Sequence, residues 1–135
     1  GFSSFRSEVR YGTNSRVDFL LEFGRKKCFL EVKNVTLKEN QYALFPDAVT
    51  IRGQKHLQEL AAMVHQGHRA AILFVVQRED CSIFSIADRI DPVYARLFRD
   101  VLDQGVEAYC YTCKVSPESV KLAYPIKIME SNGPT

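Results

Sequence analysis

Arg16-Val17-Asp18-Phe19-Leu20-Leu21, a Phe23-Gly24-Arg25-Lys26 turn and Phe29-Leu30-Glu31-Val32-Lys33 follow one another closely along the chain. Val17, Phe19 and Leu21 alternate with Asp18, Leu20 and Glu22, and Cys28 to Val32 rises again as a second strand. If the hairpin closes around Phe23 to Lys26, Glu22 pairs with Lys27, Leu20 with Phe29 and Asp18 with Glu31, and Arg16 lies opposite Lys33. Side chains alternate along a strand, so Phe29, Glu31 and Lys33 share one face. Two carboxylates on one rung repel, at a cost of roughly half a kcal/mol or more. Such a rung implies a positive group between the acids. Lys33 is one candidate and a divalent cation is the other. Magnesium takes one or two protein carboxylates together with waters and phosphate oxygens, which this geometry can supply.

Working outward, Ser7 to Tyr11 reads as a further short strand ending at Gly12, and Asn34 to Pro46 as polar, irregular chain. Thr50 is an N-cap for a helix whose Leu57, Leu60, Ala61 and Val64 fall at helical spacing, with Gly67 closing it. Ala70 to Val76 is apolar on both faces, as a central strand flanked by helices would be. Asp91 and Pro92 open a second helix, with Tyr94, Leu97, Phe98, Val101 and Leu102 as its buried stripe and Gly105 at its end. Val106 to Val115 is another strand, and Ser116-Pro117-Glu118 turns the chain into a last one around Val120 to Ala123. The expected order is β-β-β-α-β-α-β-β. Strands joined through a helix should run parallel and the hairpin antiparallel. The expectation is an α/β fold with a mixed sheet, an antiparallel hairpin and helix crossovers.

A chain of 135 residues, 46% hydrophobic and 25% charged, has the size and mix of one globular domain. Collagen, coiled coil and wholesale disorder are excluded. The longest apolar run, Ala70 to Val76, falls well short of the about 18 residues of a membrane span, so no membrane partner is expected. No basic segment followed by an apolar one marks a secretory signal, which predicts a cytoplasmic protein. Gly1 in place of a starter Met suggests a piece of a longer protein. Eighteen basic against sixteen acidic residues leave a net charge of +2, too small to announce nucleic acid by itself. The positions of the charges therefore decide. Gly-rich phosphate loops, G-x-S-x-G elbows and H-E-x-x-H are all missing, so kinases, serine hydrolases and zincins find little support.

Several features read as structural. Cys28, Cys81, Cys110 and Cys113 are expected as free, buried thiols. Cys110 and Cys113 have C-x-x-C spacing, but on a strand they point to opposite faces, which argues against a metal or redox role. His65 and His68 bracket the end of the first helix, where they compensate its dipole. Asp47 is expected to cap the start of that helix, the alternative being an acid near the site. Arg52, Lys55, His56 and Glu59 recur on the helix face opposite Leu57, Leu60, Ala61 and Val64. Together with Arg16 the cations of this row would neutralise a DNA backbone beside the acid pair. The alternative is a solvated helix face.

Asp18 followed by Glu31-x-Lys33 on the next strand resembles the metal-dependent nuclease motif PD-(D/E)xK, with Val17 where the motif has Pro. A longer resemblance runs through Ser7-Glu8-Val9-Arg10-Tyr11-Gly12, Ser15 to Leu21, Glu31 to Leu37, Phe45-Pro46-Asp47-Ala48, Arg52 to Leu57 and Gly67-His68-Arg69-Ala70. Together these strings are similar to the C-terminal domain of the sugar fermentation stimulation protein family, SfsA, over residues 1–129, with 130–135 a flexible tail. That resemblance implies a restriction-endonuclease-like core and an OB-like N-terminal domain absent from this chain. It also implies sequence-nonspecific DNA binding and a link to sugar, especially maltose, metabolism. Carried over by position, Asp18 and Glu31 are the implied Mg²⁺ or Mn²⁺ ligands, Lys33 the catalytic lysine and Glu8 a further acid. Whether such a site cleaves DNA as a nuclease, or the domain only binds it, stays open at this level.

Overall fold

A strand that is apolar on both faces needs cover on both, and Arg69–Val76 has it: six of its eight residues are buried in the computed structural model. The structure describes residues 4–11, 15–23, 25–77, 80–115 and 120–129, with side chains from Leu20 onward except those at 23, 114–115 and 120–123. In chain order the strands are β1 (Ser4–Tyr11), β2 (Ser15–Phe23), β3 (Lys26–Val35), β4 (Leu37–Glu39) and β5 (Tyr42–Phe45). Helix α1 (Ile51–His65), β6 (Arg69–Val76), β7 (Ile83–Ile86) and α2 (Pro92–Asp103) follow. The chain then forms β8 (Glu107–Val115), β9 (Val120–Pro125) and β10 (Lys127–Ile128).

The main sheet has the order β1-β2-β3-β6-β8-β9. Its helix-linked strands β3, β6 and β8 are parallel, and β1, β2 and β9 pair antiparallel, as expected for a mixed α/β sheet. The hairpin register is also the expected one, with Glu22 opposite Lys27 and Leu20 opposite Phe29. The interval Asn34 to Pro46 is not irregular. It contains the end of β3 and the hairpin β4–β5, which joins β7 and β10 in a second sheet of order β10-β7-β5-β4. These strands are two to four residues long, too short for periodicity to stand out from polar flanks. Tertiary packing makes them strands: Phe74 of β6 lies 4.4 Å from Phe84 of β7, 5.4 Å from Phe45 of β5 and 5.8 Å from Phe98 of α2. This aromatic cluster binds the two sheets and the second helix into one core.

Both helices start where their caps predict. Thr50 Oγ1 accepts from Gly53 N at 2.9 Å, so Thr50 caps α1 while Asp47 stands exposed and caps nothing. Asp91 caps α2, with Pro92 in its first turn. Gly67 and Gly105 leave the helices at φ of 92° and 114°, a region that favours glycine. The fully buried Asp91 serves both helices at once. Its carboxylate accepts from Tyr94 N of α2 at 2.9 Å, from Thr50 N at 2.9 Å and from Gln54 Nε2 of α1 at 3.0 Å. Burial works to raise the Asp91 carboxyl, but the donors from Thr50, Tyr94 and Gln54 outweigh it and hold the group below the usual carboxylate range. Gly53 permits this closeness: a Cβ there would stand 2.8 Å from Thr50 Cγ2 and 3.2 Å from Tyr94 Cε2.

All four cysteines are free and buried. Burial, with Cys81 nearby, pushes the Cys110 thiol up to about 12, the opposite of an activated thiolate. No helix among the described residues is long and apolar enough to cross a membrane.

Asp91→Ala removes the cap of α2 and the carboxylate that holds Thr50 N and Gln54 at the start of α1, so it should cost about 2–4 kcal/mol at neutral pH, at roughly 1–2 for the cap and as much for the bonds to α1. Because the folded carboxyl is lowered, this stabilisation is present above the ordinary Asp value and lost as pH falls through the lowered one. Urea unfolding of parent and variant should therefore show a gap that narrows below about pH 4. A constant gap across that range would refute the charged tie between the helices.

Candidate functional site

Strand β3 places Glu31 and Lys33 on one face, and the parallel register sets them beside Ile72 and Phe74 of β6. Glu31 is consequently almost enclosed, with 3% of its surface exposed. Lys33 Nζ reaches Glu31 Oε1 at 3.4 Å while its side chain keeps 18% exposure. A third group arrives from α1: His56 Nδ1 lies 3.2 Å from Lys33 Nζ and 3.3 Å from Glu31 Oε1. Glu31 Oε2, on the other side of the same carboxylate, is buried and has no hydrogen-bond partner among the described residues. The Tyr94 hydroxyl is likewise buried and unpartnered. Burial raises its pKa most, and the negative charges of Glu31 and Asp91 raise it further.

The acidic rung extends across the hairpin. The β2–β3 ladder includes Phe19 opposite Leu30, and one step further along are Asp18 and Glu31. Between β1 and β2, Glu8 and Asp18 fall between the pairs Ser7–Phe19 and Val9–Val17. Three acids on three adjacent strands thus occupy neighbouring register positions. The side chains of Glu8, Arg16 and Asp18 lie outside the described ones. Among the described residues, no group of three or more His, Cys, Asp and Glu side chains stands ready for a metal.

Arg52 and Lys55 are exposed on α1, on the solvent side, where the phosphate-facing row was expected. His56 leaves that row. It is buried, at 6% exposure, against the acid and the lysine. Its place was legible in principle, because Gly53, His56, Leu57, Leu60 and Ala61 form one buried stripe at helical spacing. A polar residue inside such a stripe needs a polar partner. Asp47 is exposed, His65 in the last turn of α1 has its Nε2 2.7 Å from Gln104 Oε1, and His68 meets Phe29 edge-on at 5.5 Å.

Residues 1–119 match the family model described as the sugar fermentation stimulation protein RE domain. The chain belongs to the SfsA family. It is 57% identical over 129 residues to the sugar fermentation stimulation protein homolog of Geobacter sulfurreducens, covering 96% of this chain and 55% of that protein. The homolog of Paramagnetospirillum magneticum is 54% identical over 127 residues, covering 93% of this chain and 54% of its own length. Among solved structures, Pyrococcus furiosus SfsA in complex with Ca²⁺ superposes with a TM-score of 0.83 at 30% identity, over 92% of this chain and 54% of that one. The chain thus spans about half the length of the relatives it matches. The SfsA fold is the α/β, restriction-endonuclease-like core expected from the sequence, in keeping with the RE domain of the family description.

A buried carboxylate with one oxygen unpaired is an expensive feature to keep in a core, about 1–3 kcal/mol for the orphaned atom. The partly exposed pair with Lys33 returns less, about 1 kcal/mol at most. Glu31→Gln in the metal-free SfsA domain should therefore leave stability unchanged or raise it by about 1 kcal/mol, as read by urea unfolding in the presence of chelator. A loss of 3 kcal/mol or more would make Glu31 a structural ion-pair residue instead.

Proposed function

We propose that this SfsA-family domain binds DNA through the phosphate backbone without reading its sequence, and holds a divalent cation, Mg²⁺ or Mn²⁺, between Asp18 and Glu31. The observation that carries this reading is the orphaned Glu31 Oε2, a buried anionic acceptor with no donor among the described residues. A hard cation is the natural partner for such an oxygen. The donor set fits, since Asp18 is the next register step along and Glu8 the one beyond. Support also comes from the P. furiosus relative, whose structure is of a Ca²⁺ complex; Ca²⁺, like Mg²⁺, prefers oxygen ligands. The exposed Arg52 and Lys55 supply charge for phosphates on the helix above the site. The link to sugar and maltose metabolism rests on the family alone.

A second reading makes the site a Mg²⁺- or Mn²⁺-dependent phosphodiesterase. What favours it is the association of Lys33 with the acids, because carboxylates facing a phosphate only weaken a module that merely binds. When bound, the cation would supply charge for a phosphate oxygen and an acidified water. Lys33, with its partial exposure, is placed to hold a phosphate oxygen or orient that water. Glu31 and Asp18 would hold the charge that the phosphate approaches.

Affinity for duplex DNA should fall steeply with added salt and vary little with sequence, and Lys55→Ala should flatten the log–log salt slope by about one phosphate contact. Fluorescence anisotropy on several unrelated duplexes from low to moderate salt measures both. A salt-insensitive or strongly sequence-selective interaction would remove the backbone reading.

Asp18→Asn separates the cation from the DNA. In chelator the variant should bind DNA as well as the parent or better, having lost a charge that repels phosphate. Its calorimetric Mn²⁺ affinity should fall by at least tenfold, since a neutral amide holds the cation poorly. Any Mn²⁺-dependent cleavage of single- or double-stranded DNA by the parent should vanish in the variant. Unchanged Mn²⁺ binding would count against the site, and no turnover by the parent under any condition would leave the binding reading alone.

A further inference from the structure

We propose that His56 is the positioning residue of Lys33: its Nδ1 lone pair accepts a hydrogen bond from the Lys33 ammonium and holds it over Glu31. This rests on the reading of Glu31 and Lys33 as the functional pair, and adds to it a group from a separate element of the fold. Nδ1 lies 3.2 Å from Lys33 Nζ and 3.3 Å from Glu31 Oε1, and these contacts demand opposite things of it. Toward an ammonium, which only donates, Nδ1 must accept; toward a carboxylate it must donate. With Nδ1 as an acceptor, Lys33 is the shared donor of the three atoms. Lys33, with three N–H groups, donates both to Glu31 Oε1 at 3.4 Å and to His56 Nδ1. His56 is then the tautomer protonated at Nε2, and its closeness to Glu31 follows from both acceptors sharing one donor.

Burial and backbone make this hold firm. His56 is enclosed in the same helical stripe as Leu57 and Leu60, where an imidazole nitrogen without a partner would be costly. Its helix cannot slide, because Thr50 and Gln54 are tied to Asp91 and Gly53 sits tight against Tyr94. Lys33 has a long stem with four rotatable bonds, and a charged tip held by Glu31 alone would lose its anchor whenever a cation drew on that carboxylate. His56 provides an anchor independent of the acid.

Nuclear magnetic resonance of metal-free protein labelled with ¹⁵N tests this without DNA or cation. Nδ1 of His56 should resonate as a lone-pair nitrogen and Nε2 as a protonated one. The Lys33 ammonium should give a slowly exchanging cross-peak. That cross-peak should be lost in His56→Leu and return in His56→Asn, whose amide oxygen can stand near the Nδ1 position. His56→Leu with an intact amide spectrum and an unchanged Lys33 cross-peak would reduce His56 to packing. A protonated Nδ1 in the parent would overturn the proposal outright. Mn²⁺ calorimetry on the parent stands apart: a domain that passes the resonance test but binds no cation loses the proposed function and keeps the His56–Lys33 bond.

Discussion

One buried carboxylate ties the starts of two helices together, and the place of His56 in the site follows from it. Asp91 accepts from α2 through Tyr94 N and from the α1 start through Thr50 N and Gln54. A charge buried this deeply is tolerable because it faces two helix N-termini, where unpaired N–H groups and the helix dipoles favour an anion. With its start clamped, α1 crosses the sheet at a set height, and His56 lands on β3 beside Lys33 and Glu31. The same clamp brings Tyr94 beneath Gly53, so close that no larger residue fits without displacing a neighbour.

The two buried acids of this region are opposites. Asp91 has a full set of donors and its carboxyl is held low; Glu31 has one oxygen shared with Lys33 and another with no donor among the described residues. A core under selection only for stability would satisfy or neutralise the second acid. A carboxylate left unsatisfied among the described residues, beside a partly exposed lysine, is what the proposed cation site would require, at some expense of stability.

The second sheet gives that site its floor. Phe45 and Phe84 pack on Phe74, next to Lys33 in the β3–β6 register, and Phe45 also meets Tyr94 at 5.5 Å. The polar triad of Glu31, Lys33 and His56 thus lies on strands and a helix that the aromatic core holds together, and burial of Glu31 and His56 strengthens the charge interactions within it.

Local chemistry in the sequence was enough for the main framework. The two-residue period of β2 and β3, the turn between them, the doubly apolar β6, and the caps Thr50 and Asp91 are all short-range signals, and each predicted element formed. The hairpin count even set Leu20 against Phe29, because a short turn leaves the register no freedom. Signals of two to four residues were too weak to reveal β4, β5, β7 and β10, whose strand character depends on tertiary packing. The site divides in the same way. Glu31 and Lys33 share a face by simple alternation, so the sequence alone determined that they stand together. Only the tertiary structure decided that His56 turns inward to join them, that Asp47 stays out, and that one oxygen of Glu31 lacks a donor among the described residues. Each of these depends on how α1 is set against β3, and that distance and rotation come from Asp91, some 40 residues further along the chain.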